Sequence, residues 1–338
     1  MALRYVLKRV VACVLMALAA TLVVFLVAHT VPADPVLAQL GDKASANPET
    51  VARFRTRWGL DRPLWQQYAI FLAGLARGDL GESIASRRPV MDDVRQYAPA
   101  TIELSTLAAV LTALVGVPLG VLAAVRRDRL ADHLVRLLCL FGVSAPTFWL
   151  AFLALALFYG GLEIAPSPGR LDAAAVPPPH VTGLFLADSL LARNWATFRA
   201  ALAHMILPAV VLAASTVGLV TRTTRASLLE TLGQDYVRTA RAKGVAEALV
   251  VRRHALRNAL LPVVTLGGLA YAELLAGTVL TETIFSWPGL GRYTYQSAVA
   301  LDFPAILGMT FLVAAVYLVM SLIVDLSYVV LDPRVVRR

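Results

Sequence analysis

Residues 235–262 read DYVRTARAKGVAEALVVRRHALRNALLP. The stretch carries Arg238, Arg241, Lys243, Arg252, Arg253 and Arg257, yet it lies between two apolar runs long enough to cross a membrane. Asp235 stands where a helix N-cap is expected, and its charge suits the positive end of a helix. Good helix formers follow, and Gly244 fits the left-handed position just past a helix end. These signals predict a short helix of about two turns at 235–244. At 3.6 residues per turn Tyr236, Ala240 and Gly244 fall on one face, and Arg238 and Arg241 on another. So short a helix is marginal alone, so it needs a surface to rest on. The small residues allow a close backbone approach, which fits docking into a protein groove. A second helix is expected from about Ala246 into the next apolar run.

Outward from this stretch the chain is oily. Of 338 residues, 58% are hydrophobic and 16% charged, against roughly 45–50% and 25% in soluble domains. Runs of about 20 apolar residues mark membrane helices, and we read six: 9–31, 100–125, 133–160, 203–225, 259–283 and 304–331. Residues 1–31 resemble a signal peptide in having Arg4, Lys8 and Arg9 before an apolar run, but that run is longer than the usual 7–15-residue core. We read it as a retained first helix. The fold class expected is an all-α integral membrane protein.

Charge orients the spans. The four segments around 1–9, 126–136, 222–257 and 332–338 hold 18 basic and 6 acidic residues, while the alternating segments 32–99, 161–202 and 284–303 hold 13 and 12. The net charge of +9 therefore collects on one side, and Lys and Arg mark the cytoplasm. Both termini are expected inside, N-in and C-in. This rule accounts for the basic excess without nucleic acid. Four acids fall within the spans. Glu103 and Glu282 lie near helix ends and are expected to reach water. Glu273 and Asp325 lie deeper, either as carboxylates lining a pathway or as hydrogen-bonded groups between helices. The pair Gly116 and Gly120 has the small-xxx-small spacing of close helix contacts. Pro118, Pro146 and Pro208 interrupt three spans, and Pro262 starts a fourth.

The chain divides into a tail and first helix (1–31), a subdomain (32–99) expected on the external side, and a core bundle (100–338) with a cytoplasmic loop at 226–258. Within 32–99, Asn47-Pro48-Glu49 is a helix start and Gly59 its stop. A second short helix is expected from Pro63 to about Arg77, ended by Gly78. The 161–202 loop, with Pro177–Pro179, is expected to be irregular. WPGLG at 287–291 reads as a turn between the last two spans.

With these residues in hand the chain resembles the permeases of ABC importers. Their cytoplasmic loop reads EAA, three residues, Gly, nine residues, I-x-LP. Here Gly244 is the glycine, Arg238-Thr239-Ala240 holds the EAA place and His254-Ala255-Leu256-Arg257 the I-x-LP place. Both departures, YVRTARAKG and RHALRNALLP, are similar to the dipeptide/oligopeptide/nickel branch. WGLDRPLWQQY (58–68), GDLGES (78–83), TETIFSWPGLG (281–291) and DFPAI (302–306) add to the likeness, while PADP (32–35) has Ala33 where that branch usually has glycine.

The resemblance implies a permease subunit of the first, B-type kind, in a bacterial inner membrane, carrying a peptide or related small substrate. It implies a second related permease subunit, two cytoplasmic ATPase subunits holding ATP and magnesium, and an external substrate-binding protein. Asp235, Tyr236, Arg238, Thr239, Ala240, Arg241, Ala242, Lys243 and Gly244 would form the coupling helix that docks on an ATPase. A P-loop needs Gly-Lys-Ser/Thr, but the three lysines, Lys8, Lys43 and Lys243, follow Leu7, Asp42 and Ala242. No ATP site is therefore expected on this chain, and, with Cys13 and Cys139 unpartnered and the five histidines scattered, no cofactor or metal site is expected either; it is expected not to be an enzyme by itself. The rival reading is a proton-coupled secondary transporter using Glu273 and Asp325.

Overall fold

The computed structural model describes residues 2–30, 36, 38–40, 47–276 and 279–331. PADP at 32–35 and the C-terminal tail lie outside the described residues, as does the side chain of Asp325. Thirteen helical elements cover most of the described chain: α1 (Ala2–Thr30), α2 (Pro48–Trp58), α3 (Leu64–Leu75), α4 (Val90–Val125), α5 (Leu130–Ser144), α6 (Thr147–Gly161), α7 (Phe185–Leu191), α8 (Trp195–Leu232), α9 (Asp235–Ala242), α10 (Glu247–Ala276), α11 (Val279–Ile284), α12 (Leu290–Val299) and α13 (Phe303–Leu331). Five are long and apolar enough to cross a membrane, and α5 with α6 makes a sixth if the bent pair counts as one span.

That bend is the largest departure from the sequence reading, which took 133–160 as one span. The two helices meet at 100°. Ala145 is extended, at φ −76° and ψ 128°, because the ring of Pro146 crowds the helical conformation of the residue before it. Pro208 and Pro262, by contrast, lie inside unbroken helices. Neighbouring groups in a membrane bundle satisfy the carbonyl that such a proline frees. Residues 284–303 are more than a turn, since they hold the helix α12.

The chain forms two compact units. One comprises Met1–Thr101 and Pro288–Leu318. In it Asn47 accepts a hydrogen bond from the Glu49 amide, Pro48 opens α2, and Gly59 closes it at φ +64°. The α3 helix rests on α1. The Tyr68 hydroxyl donates to the Leu18 carbonyl at 3.0 Å, and His29 Nε2 lies 3.3 Å from Gln67 Oε1. Buried Asp302, from DFPAI, gathers GDLGES around itself. It accepts from Ser83 Oγ at 2.6 Å and from the amides of Ile84 and Ala85 at 3.1 Å each. Asp93 accepts from Ser86 Oγ at 2.6 Å and from the Tyr293 hydroxyl at 3.1 Å. Burial and the neighbouring Asp93 and Asp302 raise the Tyr293 phenol well above its usual range, so it stays a donor.

The second unit comprises Ile102–Trp287 and Val319–Arg338. Here α4 and α8 cross at the glycines read from the sequence. A methyl group on Gly120 would lie 2.5 Å from Thr224 Cβ and 2.7 Å from the Thr221 carbonyl. Thr221 in turn donates to the Gly116 carbonyl at 3.1 Å. The α5 helix is tied to α8 by a two-pronged ion pair. Arg225 Nε reaches Asp132 Oδ1 at 2.7 Å and Nη2 reaches Oδ2 at 2.6 Å.

Candidate functional site

The short helix α9 forms as its sequence directs, with two differences. Its N-cap is Gln234, and Asp235 is the first helical residue, where its charge faces the helix dipole. At the other end Gly244 takes φ +77°. Its amide donates to the Arg241 carbonyl at 2.9 Å, and the Val245 amide to the Ala240 carbonyl at 3.3 Å. This crossed pair closes a helix at a left-handed glycine.

The second difference concerns which face is covered. Val237 is fully buried and Ala240 nearly so, in one core with Ala124 of α4, Leu228 of α8 and Val250, Val251, Ala255 and Ala259 of α10. Ala240 therefore faces this chain's own core, away from the surface expected to meet a partner. Asp235, Tyr236, Arg238, Thr239, Arg241, Ala242, Lys243 and Gly244 are exposed. Helical spacing places 236, 240 and 244 together, but α9 rests on the stripe of 237 and 240, and it is this contact that turns Tyr236 and Gly244 outward. Tyr236 is held by Asn258, whose amide donates to its hydroxyl at 2.8 Å. Arg241 clasps Glu247 through Nε at 3.0 Å and Nη2 at 2.7 Å, which raises the guanidinium pKa further. The first turns of α10 include a π-helical segment, Val250–Ala255, so α9 is joined to a locally wide helix.

Glu273 lies on α10, exposed in the isolated chain. It lines a cavity of about 330 Å³ together with Thr147, Ser215, Thr216, Arg222 and Thr281. Neither it nor Arg222 makes an ion pair among the described residues.

Like fully buried Glu282, Glu103 is buried where contact with water was expected. It accepts from the Leu186 amide at 2.6 Å and the Phe185 amide at 3.2 Å, and from Arg170 Nη2 at 2.6 Å. The Arg170 guanidinium sits 3.5 Å from the centre of the Phe185 ring. Burial lowers the Arg170 pKa, and Glu103 opposes that shift. Next to it, buried Asp188 accepts from the amides of Val181, Thr182 and Gly183 and from the Thr182 hydroxyl. Burial alone would raise its pKa, but these hydrogen bonds outweigh burial and lower it. The loop thought irregular is thus anchored by two carboxylates. The sequence reading missed this because the partners of Glu103 lie far along the chain.

Comparison with known proteins decides the family. The model for "Binding-protein-dependent transport system inner membrane component" matches residues 116–337, and that for the N-terminal part of such membrane components matches residues 2–105. The chain belongs to this family. It is a transmembrane permease subunit of an ABC importer, and not itself an enzyme. The permease is 46% identical over 315 residues to the "Probable D,D-dipeptide transport system permease protein DdpB" of Escherichia coli (strain K12), covering 93% of this chain and 92% of that one. It is 42% identical over 335 residues to the dipeptide transport system permease protein DppB of the same organism, covering 98% of each. It is also 42% identical to the di/tripeptide transport system permease protein DppB of Pseudomonas aeruginosa (strain UCBPP-PA14), covering 93% of each. A permease of this family works with ATPase subunits and a substrate-binding protein.

Proposed function

We propose that this permease carries small peptides, dipeptides above all, inward across the membrane, as one of two related permease subunits above a pair of ATPases. ATP and magnesium belong to those ATPases. The names of the relatives over nearly the whole chain support the substrate class. The charge distribution supports six crossings with both termini in the cytoplasm and residues 32–99 as an external subdomain of a first-type permease. Core bundle 100–338 then carries the coupling loop 226–258.

The observation that carries the mechanism is the seating of α9. Its outer face, with Arg238, Thr239, Ala242 and Lys243, is open to a partner. Its inner face is locked by Val237 and Ala240 into a core shared with α4, α8 and α10. Close-packed interiors transmit displacement rather than absorb it. A partner ATPase that moves α9 on nucleotide binding would therefore drag the ends of three long helices, and tilting them opens the path alternately to each side. The exposed arginines and lysine suit an acidic rim on the ATPase groove.

The proton-coupled reading through Glu273 and Asp325 draws no support from the family. The experiment that tests the function uses the whole transporter in vesicles with its binding protein. Labelled dipeptide should enter only when ATP is supplied to the ATPase side. Uptake driven by a proton gradient without ATP would overturn the reading.

A further inference from the structure

Two adjoining cavities of the second unit carry chemistry that the coupling mechanism does not use. The first, of about 330 Å³, is lined by Thr147, Ser215, Thr216, Arg222, Glu273 and Thr281. The second, of about 490 Å³, is lined by His133, Arg136, Cys139 and Arg225. Val143 and Arg222 belong to both, so the two form one lane along α5, α8 and α10. Along it an acid and several bases are held apart. Arg225, in the second cavity, is paired with Asp132, while the first cavity holds the guanidinium of Arg222 and the carboxylate of Glu273.

An ionised group within a membrane span is costly unless water, a partner or a ligand meets it, and such a group faces a cavity or path by default. Glu273 and Arg222 line the same cavity without pairing with one another. The volume is at the lower end of the roughly 300–1,000 Å³ of small-molecule sites. Hydroxyls of Thr147 and Thr281 add neutral donors and acceptors to the same cavity wall. A ligand that satisfies both walls must carry a cation at one end and an anion at the other and be only a few atoms long.

We propose that Glu273 and Arg222 form a transient zwitterion site on the translocation path, with Glu273 receiving the α-ammonium of a small peptide and Arg222 its α-carboxylate. This rests on the peptide-import reading above and adds to it the residues that recognise the two ends. The site has one charge for each end, so blocking one end leaves one charge of the cavity unmet. Its contribution is to sort by terminal charge after the binding protein has released its cargo. It is indifferent to side chains, because hydroxyls and aliphatic groups make up the rest of the wall.

The test uses the complete transporter in vesicles, in a Cys13→Ala, Cys139→Ala background with Ser215→Cys as reporter. The rate at which a water-soluble maleimide labels residue 215 is measured with dialanine, N-acetyl-dialanine or dialanine amide present. Dialanine should slow labelling severalfold more than either blocked form. Glu273→Gln should abolish its advantage over the acetylated form alone, and Arg222→Gln its advantage over the amide alone. Equal protection by all three compounds, or an unchanged ranking in both variants, would overturn the proposal. So would failure of the reagent to reach residue 215 in every nucleotide state, since the cavity would then not belong to a watered path. Uptake of labelled dialanine, measured in the same vesicles, separates the two claims. Flat protection with intact ATP-driven uptake removes only the zwitterion site, whereas absent uptake of any dipeptide removes the peptide-import reading.

Discussion

Single side chains hold this permease together where helices would otherwise slide. Asp132 is fully buried, and its two oxygens are met by Arg225, which keeps some exposure. Removing one partner of a buried pair costs about 3–5 kcal/mol, and the partial exposure of Arg225 argues for the lower end. Asp132→Asn and Arg225→Gln should each lower the melting temperature of the purified permease. The double variant should be little worse than either single one, because the stranded charge has gone. Additive losses would show that the two groups act separately. Asp188 supplies a pH prediction. Its pKa is lowered in the folded chain, so its contribution is complete above the unfolded value of 3.8 and fades as pH falls through the lower folded one. Protection of the amides at residues 181–183, measured as exchange relative to the intrinsic rate at each pH, should therefore stay high at neutral pH and fall only in acid below about 4. In Asp188→Asn it should be low at every pH, and equal protection in both proteins would refute the role given to this carboxylate.

At the scale of elements, α9 is both the best-read and the most instructive. Bulk on its outer face and bulk on its inner face should fail differently. Ala242→Trp leaves the chain's own core untouched and should disrupt only partner docking. Ala240→Trp overfills the core shared with α8 and α10, and overpacking typically costs about 1–3 kcal/mol. Thermal unfolding of the two purified variants separates them: the 240 variant should melt early and the 242 variant normally. The ends of α9 were legible because the left-handed glycine and the acidic first turn act locally. Its buried face was not, since helical periodicity groups Tyr236, Ala240 and Gly244 without saying which neighbouring helix covers them. The same limit explains the other misreadings. Pro146 announced a break, but its 100° angle depends on what α5 and α6 pack against. The glycines of WPGLG suggested a turn and hid α12 behind it. Glu103 looked wet because its partners, Arg170 and the amides of α7, lie more than 60 residues away in sequence. The span count, the charge asymmetry and the Gly116/Gly120 crossing were readable because each rests on composition or spacing alone.

At the scale of the whole molecule, the proposed coupling makes α8 a lever. Helix α8, with 38 residues, is about 57 Å long at 1.5 Å per residue, well beyond the roughly 30 Å of hydrocarbon. Its far end reaches the core that seats α9, and its middle carries Ser215, Thr216 and Arg222 on the charged cavity. A displacement at one end is thus felt at the other without any flexible joint in between. The central claim is that the outer face of α9 is where ATP hydrolysis is converted into transport. The most direct test compares dipeptide taken up with ATP hydrolysed in vesicles holding the complete transporter with Ala242→Trp. If the tryptophan weakens docking by even about 1.4 kcal/mol, the docking constant falls tenfold. The account predicts a folded, membrane-inserted permease whose uptake per ATP is lowered. Unchanged uptake per ATP, with the tryptophan in place on α9, would contradict it.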